Sequence, residues 1–490
     1  MSDYKLHKSS NVHIPGQQTF LKELFSVASK QNALDLTEGR ISRTIWIIAL
    51  PQIITNSMQS LFNIVDMFWV GRLGTDAIAA VAVAGALLMV LFMAIMGVGI
   101  GASAMIARAF GGNRFDDANR VVANGIVLSI IIAIPVSILG GFFPHLLMKI
   151  MGVTGNVFDL GEAYLTTIFL NSIFIFLTFV INAALQGTGD AVTPMKIMSL
   201  ALLFNTILDP ILIFGWGPFP ELGVVGAAWT TVFSRALASM AFIIALLKNK
   251  LRLKLEVKFL KPDWFLIHQI IKLGFPASIQ LSLRSIMAIV LMRLVVNFGD
   301  AAVAAYGIGN RLFMLALFPG FGFGVAAANL VGQNLGAGKP NRSRESAYST
   351  VMYYFFFLSL MLVAFLGFPH TLISWFCSND TPEYPAVVAL GSQMLRIVAL
   401  GLPFLAVSLI LNRSLGGAGD TFTPMIITLI SLWGIQVPSA VFLSKTFGVS
   451  GIFWSGTLAL IASAIMAFTW FHRGHWETKR IMFSKVKPLS

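Results

Sequence analysis

The sequence predicts an all-α integral membrane protein. Twelve transmembrane helices form two six-helix repeats, an N-lobe and a C-lobe, related by a pseudo-two-fold axis along the membrane normal. Three observations carry this. The 490-residue chain is 57% hydrophobic and only 11% charged, where a soluble domain carries about 25% charged residues. Apolar runs of roughly 20 residues, enough to cross a bilayer, recur along it. And the chain is written twice.

The runs fall at 44–70, 78–107, 121–143, 163–186, 196–216, 223–247, 270–298, 303–332, 347–368, 390–412, 425–444 and 449–471. A soluble helical protein of this size would need polar faces on most of these helices, and they are missing. Residues 1–43 are polar and show no short apolar region with a cleavage site, so they read as a cytoplasmic extension and not a signal peptide.

The net charge of +13 suggests nucleic acid until the charges are placed. With the N-terminus inside, 26 of the 34 Lys and Arg lie in the tails and cytoplasmic loops. The opposite loops hold Arg72, Lys149 and Lys445. That bias is the positive-inside rule for two cytoplasmic termini, so no nucleic-acid partner is expected. Cys377 stands alone, which excludes an intramolecular disulfide. No His pair has ligand spacing, and no catalytic set is found, so the chain is not read as an enzyme.

The repeat is direct. LQGTGDAVTPM at 185–195 returns as LGGAGDTFTPM at 415–425, an offset of 230. GVGIGASA at 97–104 pairs with GFGVAAAN at 322–329, FGGNR at 110–114 with LGAGK at 335–339, and GVVGAAWTT at 223–231 with GVSGIFWSG at 448–456, all at 225. Six spans per half is an even number, so both halves enter from the same side and the repeats are parallel. The division is a 1–43 extension, a 44–247 N-terminal lobe, a 248–269 cytoplasmic linker, a 270–472 C-terminal lobe and a 473–490 cytoplasmic tail. Gly97, Gly99 and Gly101 mimic a dinucleotide fingerprint, but no strand precedes them, and small residues at short spacing read as close helix packing. In the GTGD and GAGD turns, Gly permits positive φ and Asp190 and Asp420 can cap the next helix.

FNTILDP at 204–210 breaks the apolar pattern of span 5. Asn205 and Asp209 are four apart and share a helical face. A carboxylate in hydrocarbon costs several kcal/mol and so faces a partner or a wet cavity. Pro210 has no N–H, which frees the Thr206 carbonyl as a further oxygen ligand. Span 1 carries a polar stripe, Asn56, Gln59, Asn63 and Asp66, and span 6 carries Thr231. At ~1.5 Å per residue from the outer span ends, Asp66, Asp209 and Thr231 lie at similar depth, with Asn205 on the face of Asp209. Carboxylate, amide and hydroxyl oxygens suit a hard ion such as Na⁺; a carboxylate can instead carry a proton.

The chain resembles the multidrug and toxic compound extrusion (MATE) transporters over residues 40–475, and looks closest to their DinF-like branch. The match rests on LFNIVDMFWVGRLG, the paired GxGDxxTPM turns, and NTILDPILIFGWG followed by GVVGAAWTT. The resemblance implies a cation-coupled exporter with two lobes in a V. It points to the same Asp66, Asn205, Asp209 and Thr231, and it places Gln59 and Asn182 in the cargo cavity. Met89 and Met198 are further candidates to line it, since Met adapts to varied ligands. Pro51 is a candidate hinge in span 1. Some relatives place an acid in span 7, where this chain has Arg284.

By the repeat offsets Asp66 maps to Leu291, Asn205 to Ile435, Asp209 to Ser439 and Thr231 to Gly456. The second half keeps the scaffold without the ligands. Arg284 reads as the one clearly intramembrane arginine, available to Asp66 or to an anionic group across the cleft. The expected function is secondary active export of amphipathic, cationic or xenobiotic small molecules by Na⁺ or H⁺ antiport with alternating access. The coupling ion is the only cofactor expected. A monomer in the cell (inner) membrane is expected. The alternative is a flippase for lipid-linked precursors or other amphipathic lipids, which would favour a wide basic cleft. A channel would show no counterflow.

Overall fold

Hydrocarbon offers no water to backbone polar groups, so a membrane chain of this composition closes its hydrogen bonds within helices. The computed structural model describes residues 36–248, 251–377 and 382–484; most of the extension assigned to 1–43 lies outside them. The first half contains α1 (Ile41–Gly71), α2 (Thr75–Gly111), α3 (Phe115–Phe142), a short α4 (Pro144–Ile150), α5 (Asn156–Leu170), α6 (Ser172–Gly187), α7 (Val192–Phe214) and α8 (Gly223–Leu247). The second contains α9 (Trp264–Val296), α10 (Asp300–Gly336), α11 (Pro340–Gly367), a short α12 (Pro369–Ser374), α13 (Tyr384–Gly417), α14 (Phe422–Thr428), α15 (Val437–Phe447) and α16 (Val449–His472).

Among the described residues, nine helical segments are long and apolar enough to span, and α5 with α6, bent by 55° at their junction, makes a tenth. α1 and α2, at 31 and 37 residues, complete the twelve. Most helices run a few residues past the apolar runs. α9 begins at Trp264, inside the segment read as linker, because the Asp263 side chain caps it by accepting from the Phe265 and Leu266 amides. Span 11 is not one regular helix: Leu429–Gln436, between α14 and α15, is π-helical. A π-bulge accommodates one extra residue in a helix.

The repeat is visible in matching contacts. A methyl on Gly187 would meet the Ser103 carbonyl, and one on Gly417 the Ala328 carbonyl. Gly161 packs on Met148 as Gly391 packs on Ile373. Gly189 and Gly419, in the two paired turns, have φ of 86° and 85°, values that favour glycine. Asp190 and Asp420 accept from the Thr193 and Thr423 amides at the starts of α7 and α14.

A third matching pair crosses between lobes. Gly97 of α2 would place a methyl 2.5 Å from the Gly274 carbonyl of α9, and Gly322 of α10 one 2.9 Å from the Ala49 carbonyl of α1. Span 1 of each lobe is thereby laid against span 2 of the other. The remaining interlobe ties lie toward the end that carries the described termini. Asn329 and Gln333 of α10 donate to the Gln186 and Gly187 carbonyls of α6, and Arg108 of α2 donates to the Ala418 carbonyl. Ser282 of α9, donating to the Met93 sulfur of α2, is the outermost interlobe hydrogen bond among the described residues. Beyond it the described residues of the two lobes share none, the pattern of a cleft open at the opposite end.

Candidate functional site

α7 and α8 set the site. Gly226 lets α8 approach α7 so closely that a methyl there would run into the Leu212 carbonyl. Four residues on, one turn along the same face, Thr230 meets Asp209, which lies one turn before Leu212. Asp209 is 0% exposed, and the Thr230 hydroxyl donates to its Oδ1. That hydroxyl also lies 2.9 Å from the Ala227 carbonyl. It has one proton and can donate to only one of them at a time.

Three buried polar atoms around this point lack any partner: Asp209 Oδ2, Asp66 Oδ1 and Asn205 Nδ2. Burying a polar group unpaired is costly, and three together describe a binding site. Asp66 lies close enough to Asp209 for their charges to interact, and the buried Tyr164 of α5 is within range of both. Asn205 is 7% exposed; rotating its amide would present the oxygen instead of the nitrogen. α7 runs unbroken through Pro210. The arrangement can hold a hard cation on oxygens, or a proton on either carboxyl.

One predicted residue is displaced. Thr231 is half-buried and makes no hydrogen bond to Asp209; Thr230 takes the place assigned to it. One residue is about 100° around a helix, and a count of depth does not resolve that. The signal was present in GVVGAAWTT, since Thr230 and not Thr231 follows Gly226 by four.

The repeat mapping also changes. Gly451, the partner of Gly226, packs on Leu443, which is 231 and not 230 beyond Leu212. The extra residue is the π-bulge. Asn205 therefore corresponds to Gln436 and Asp209 to Ala440, in place of Ile435 and Ser439. Ser439 instead bonds the Ile435 and Gln436 carbonyls of its own helix.

The cargo candidates fall on two levels. Asn182 accepts from Gln186, which also bonds Gln52, which in turn bonds Asn56, tying α6 to α1 by a polar ladder. Gln59 accepts from Arg235 of α8 at 3.3 Å. Met198 is 4% exposed with its sulfur against Arg235, while Met89 is 54% exposed in the outer half of α2. Pro51 is buried in α1, which continues through it.

The arginines need correction. Arg284 is not alone. Arg235 lies midway along α8, and Arg413, one residue past the apolar run 390–412, lies within α13 with its side chain against Gly324. Arg235 was legible as a charge inside an apolar span. Arg413 was not, because α13 continues to Gly417, beyond its apolar run.

The chain is matched by the MatE family model over residues 51–211 and 276–442, once in each half. It is 26% identical over 456 residues to the probable multidrug resistance protein YoeA of Bacillus subtilis, covering 91% of this chain and 97% of that one. It is 27% identical over 420 residues to an FAD transporter of Shewanella oneidensis, covering 85% and 91%. Its fold is similar to that of a multidrug resistance MATE family transporter of the MOP superfamily solved in an outward-facing conformation, with a TM-score of 0.83 at 24% identity over 90% of this chain and 97% of that one. The chain therefore belongs to the MatE family, and it is a multi-pass membrane transporter, not an enzyme.

Proposed function

We propose that the protein is a secondary active exporter of amphipathic small molecules, driven by inward movement of Na⁺ or H⁺ through an alternating-access cycle. The observation that carries this is the group of unpartnered Asp66, Asn205 and Asp209 atoms, buried in one lobe of a two-lobed membrane protein. Asp66, Asn205, Asp209 and Thr230 form the coupling site. A bound cation would satisfy the free oxygens. A proton on Asp209 would let that carboxyl donate to Thr230, and Thr230 to the Ala227 carbonyl. Either change alters the charge between α1, α7 and α8 and so biases the lobes between two arrangements. Coupling requires that ion and cargo bind those arrangements with different affinity. Pro51 frees the Ile47 carbonyl and gives α1 a place to bend.

Relatives named as multidrug resistance proteins support a broad cargo class, and one named as an FAD transporter extends it to large anions. Among the described residues the only carboxylates well inside the spans are Asp66 and Asp209, so a cationic cargo, the charge expected from sequence, has no counter-charge of its own. The test is purified protein in liposomes, with Na⁺ and pH gradients imposed separately against anionic and cationic fluorescent substrates. Gradient-driven accumulation that exchanges against the ion supports the reading; movement without counterflow contradicts it.

We also place both termini in the cytoplasm of a monomer in the cell (inner) membrane. Cys377, between α12 and α13, then lies outside. Burial pushes its thiol above the ordinary value. Thiolate is the reactive form, so an impermeant maleimide should label intact cells slowly at neutral pH and faster as pH rises. Labelling only after lysis would reverse the orientation.

A further inference from the structure

The C-lobe has no carboxylate at the positions equivalent to Asp66 and Asp209, and it carries Arg284 and Arg413 within its helices. Arg284 corresponds by the repeat to Gln59, so the two occupy equivalent positions on α9 and α1 at one depth. Both helices cross to the opposite lobe through the Gly97–Gly274 and Gly322–Ala49 approaches, which places them along the cleft. Arg284 lies at the depth of Ser282, the outermost interlobe hydrogen bond, and one turn beyond Gln280, which donates to the Pro424 carbonyl and the Thr428 hydroxyl of α14, so it faces the C-lobe side of the opening.

Arg413 approaches the same place from α13. It corresponds to Ala183, whose methyl fills the small space beside Gly99; Gly324 makes the matching room for the Arg413 stem. Side chains on a helix lean toward its N-terminus. α9 runs outward and α13 inward, so the Arg284 side chain leans inward and that of Arg413 outward. Their charges are close enough to repel. Neither has a hydrogen bond or ion pair among the described residues, whose eight ion pairs all involve other groups. Both side chains are half-buried and keep a reachable surface. Two like charges held together inside a membrane protein, unpaired and open to a cleft, call for an anion. Guanidinium groups match carboxylate and phosphate in a bidentate fashion. On the facing wall Arg235 holds Gln59 and adds positive charge.

We propose that Arg284 and Arg413 form an anion-binding subsite in the cleft, which takes the carboxylate or phosphate of an amphipathic cargo. The proposal rests on the transporter reading for the word cargo, but the subsite is tested by binding alone. The shared chemistry has two sources, a free anionic compound or an anionic lipid headgroup.

The test uses full-length purified protein and equilibrium binding of carboxyfluorescein, with ethidium as the cationic counterpart. Wild type should prefer carboxyfluorescein. Arg284→Gln and Arg413→Gln should each weaken it by about tenfold or more, as expected for a lost charged hydrogen bond, and leave ethidium unweakened. Arg284→Lys and Arg413→Lys keep the charge and should retain more affinity than Gln, which separates a lost charge from a lost fold. Competition by phosphatidylglycerol vesicles, and not by phosphatidylcholine vesicles, would assign the subsite to a headgroup. Absence of that competition would assign it to a free anion. No carboxyfluorescein binding by wild type, a preference for ethidium, or affinity unchanged in both Gln variants would overturn the subsite. Intact binding with no gradient-driven movement in liposomes would instead contradict the exporter and leave the subsite standing.

Discussion

In the N-lobe, Gly226 seats α8 against the Leu212 carbonyl of α7, and Asp209 lies beside Thr230. In the C-lobe, Gly451 seats α16 against Leu443 of α15, and the equivalent positions hold Ala440 and Ser455. The hydroxyls even share a habit: Thr230 reaches the Ala227 carbonyl and Ser455 the matching Ile452 carbonyl. Only Thr230 has a carboxylate as its second acceptor. The joint is thus a packing device common to both lobes, and the carboxylate is an addition to one. Along the cleft the asymmetry reverses, with Gln59 in the N-lobe and Arg284 in the C-lobe. The proposed division of the duplicated scaffold is a cation site in the N-lobe and an arginine pair in the C-lobe.

The strongest way to break this comparison is Asp209→Asn. It keeps shape and removes charge, so the variant should stay folded while ion-driven export in liposomes falls by about two orders of magnitude or more. Retained coupling would mean that the N-lobe site is only a packed polar pair. Next in size are the two glycines. Gly226→Ala and Gly451→Ala each force a methyl into a backbone carbonyl and should each cost about 1–3 kcal/mol of stability, read as a lower melting temperature. Only Gly226→Ala should also weaken cation binding, because only it displaces Thr230 from a carboxylate. Equal effects on cation binding would erase the asymmetry.

Thr230→Ala should raise the ion concentration for half-maximal transport by about tenfold, the loss of one hydrogen bond to a charged group. Thr231→Ala should change it less, and the reverse order would restore Thr231 to the site. The smallest effect is expected of Ser439→Ala. Its hydroxyl is occupied by its own helix, so transport should stay within about twofold, the scale of a surface-like substitution.

The plan of the fold was legible because its signals are long-range and redundant. Four motif pairs at near-constant offset require two lobes whatever the local detail, and Asn205, Asp209 and Pro210 stand out against hydrocarbon. What failed was register. The π-helical stretch Leu429–Gln436 adds one residue after the paired TPM motifs, and nothing in LISLWGIQ distinguishes a π turn from an α turn. Thr230 and Thr231 are adjacent hydroxyls, and only the Gly226 approach says which one faces α7. Arg413 falls just past the apolar run 390–412, because hydropathy marks where a helix stops being apolar, not where it ends.

The most direct measurement is gradient-driven transport by the Asp66→Asn, Asp209→Asn double variant, reconstituted in liposomes at wild-type protein levels, with Na⁺ and pH gradients applied in turn. The single-lobe coupling site predicts no accumulation against a gradient under either ion, from a protein that still binds its cargo. Wild-type accumulation by the double variant would contradict it.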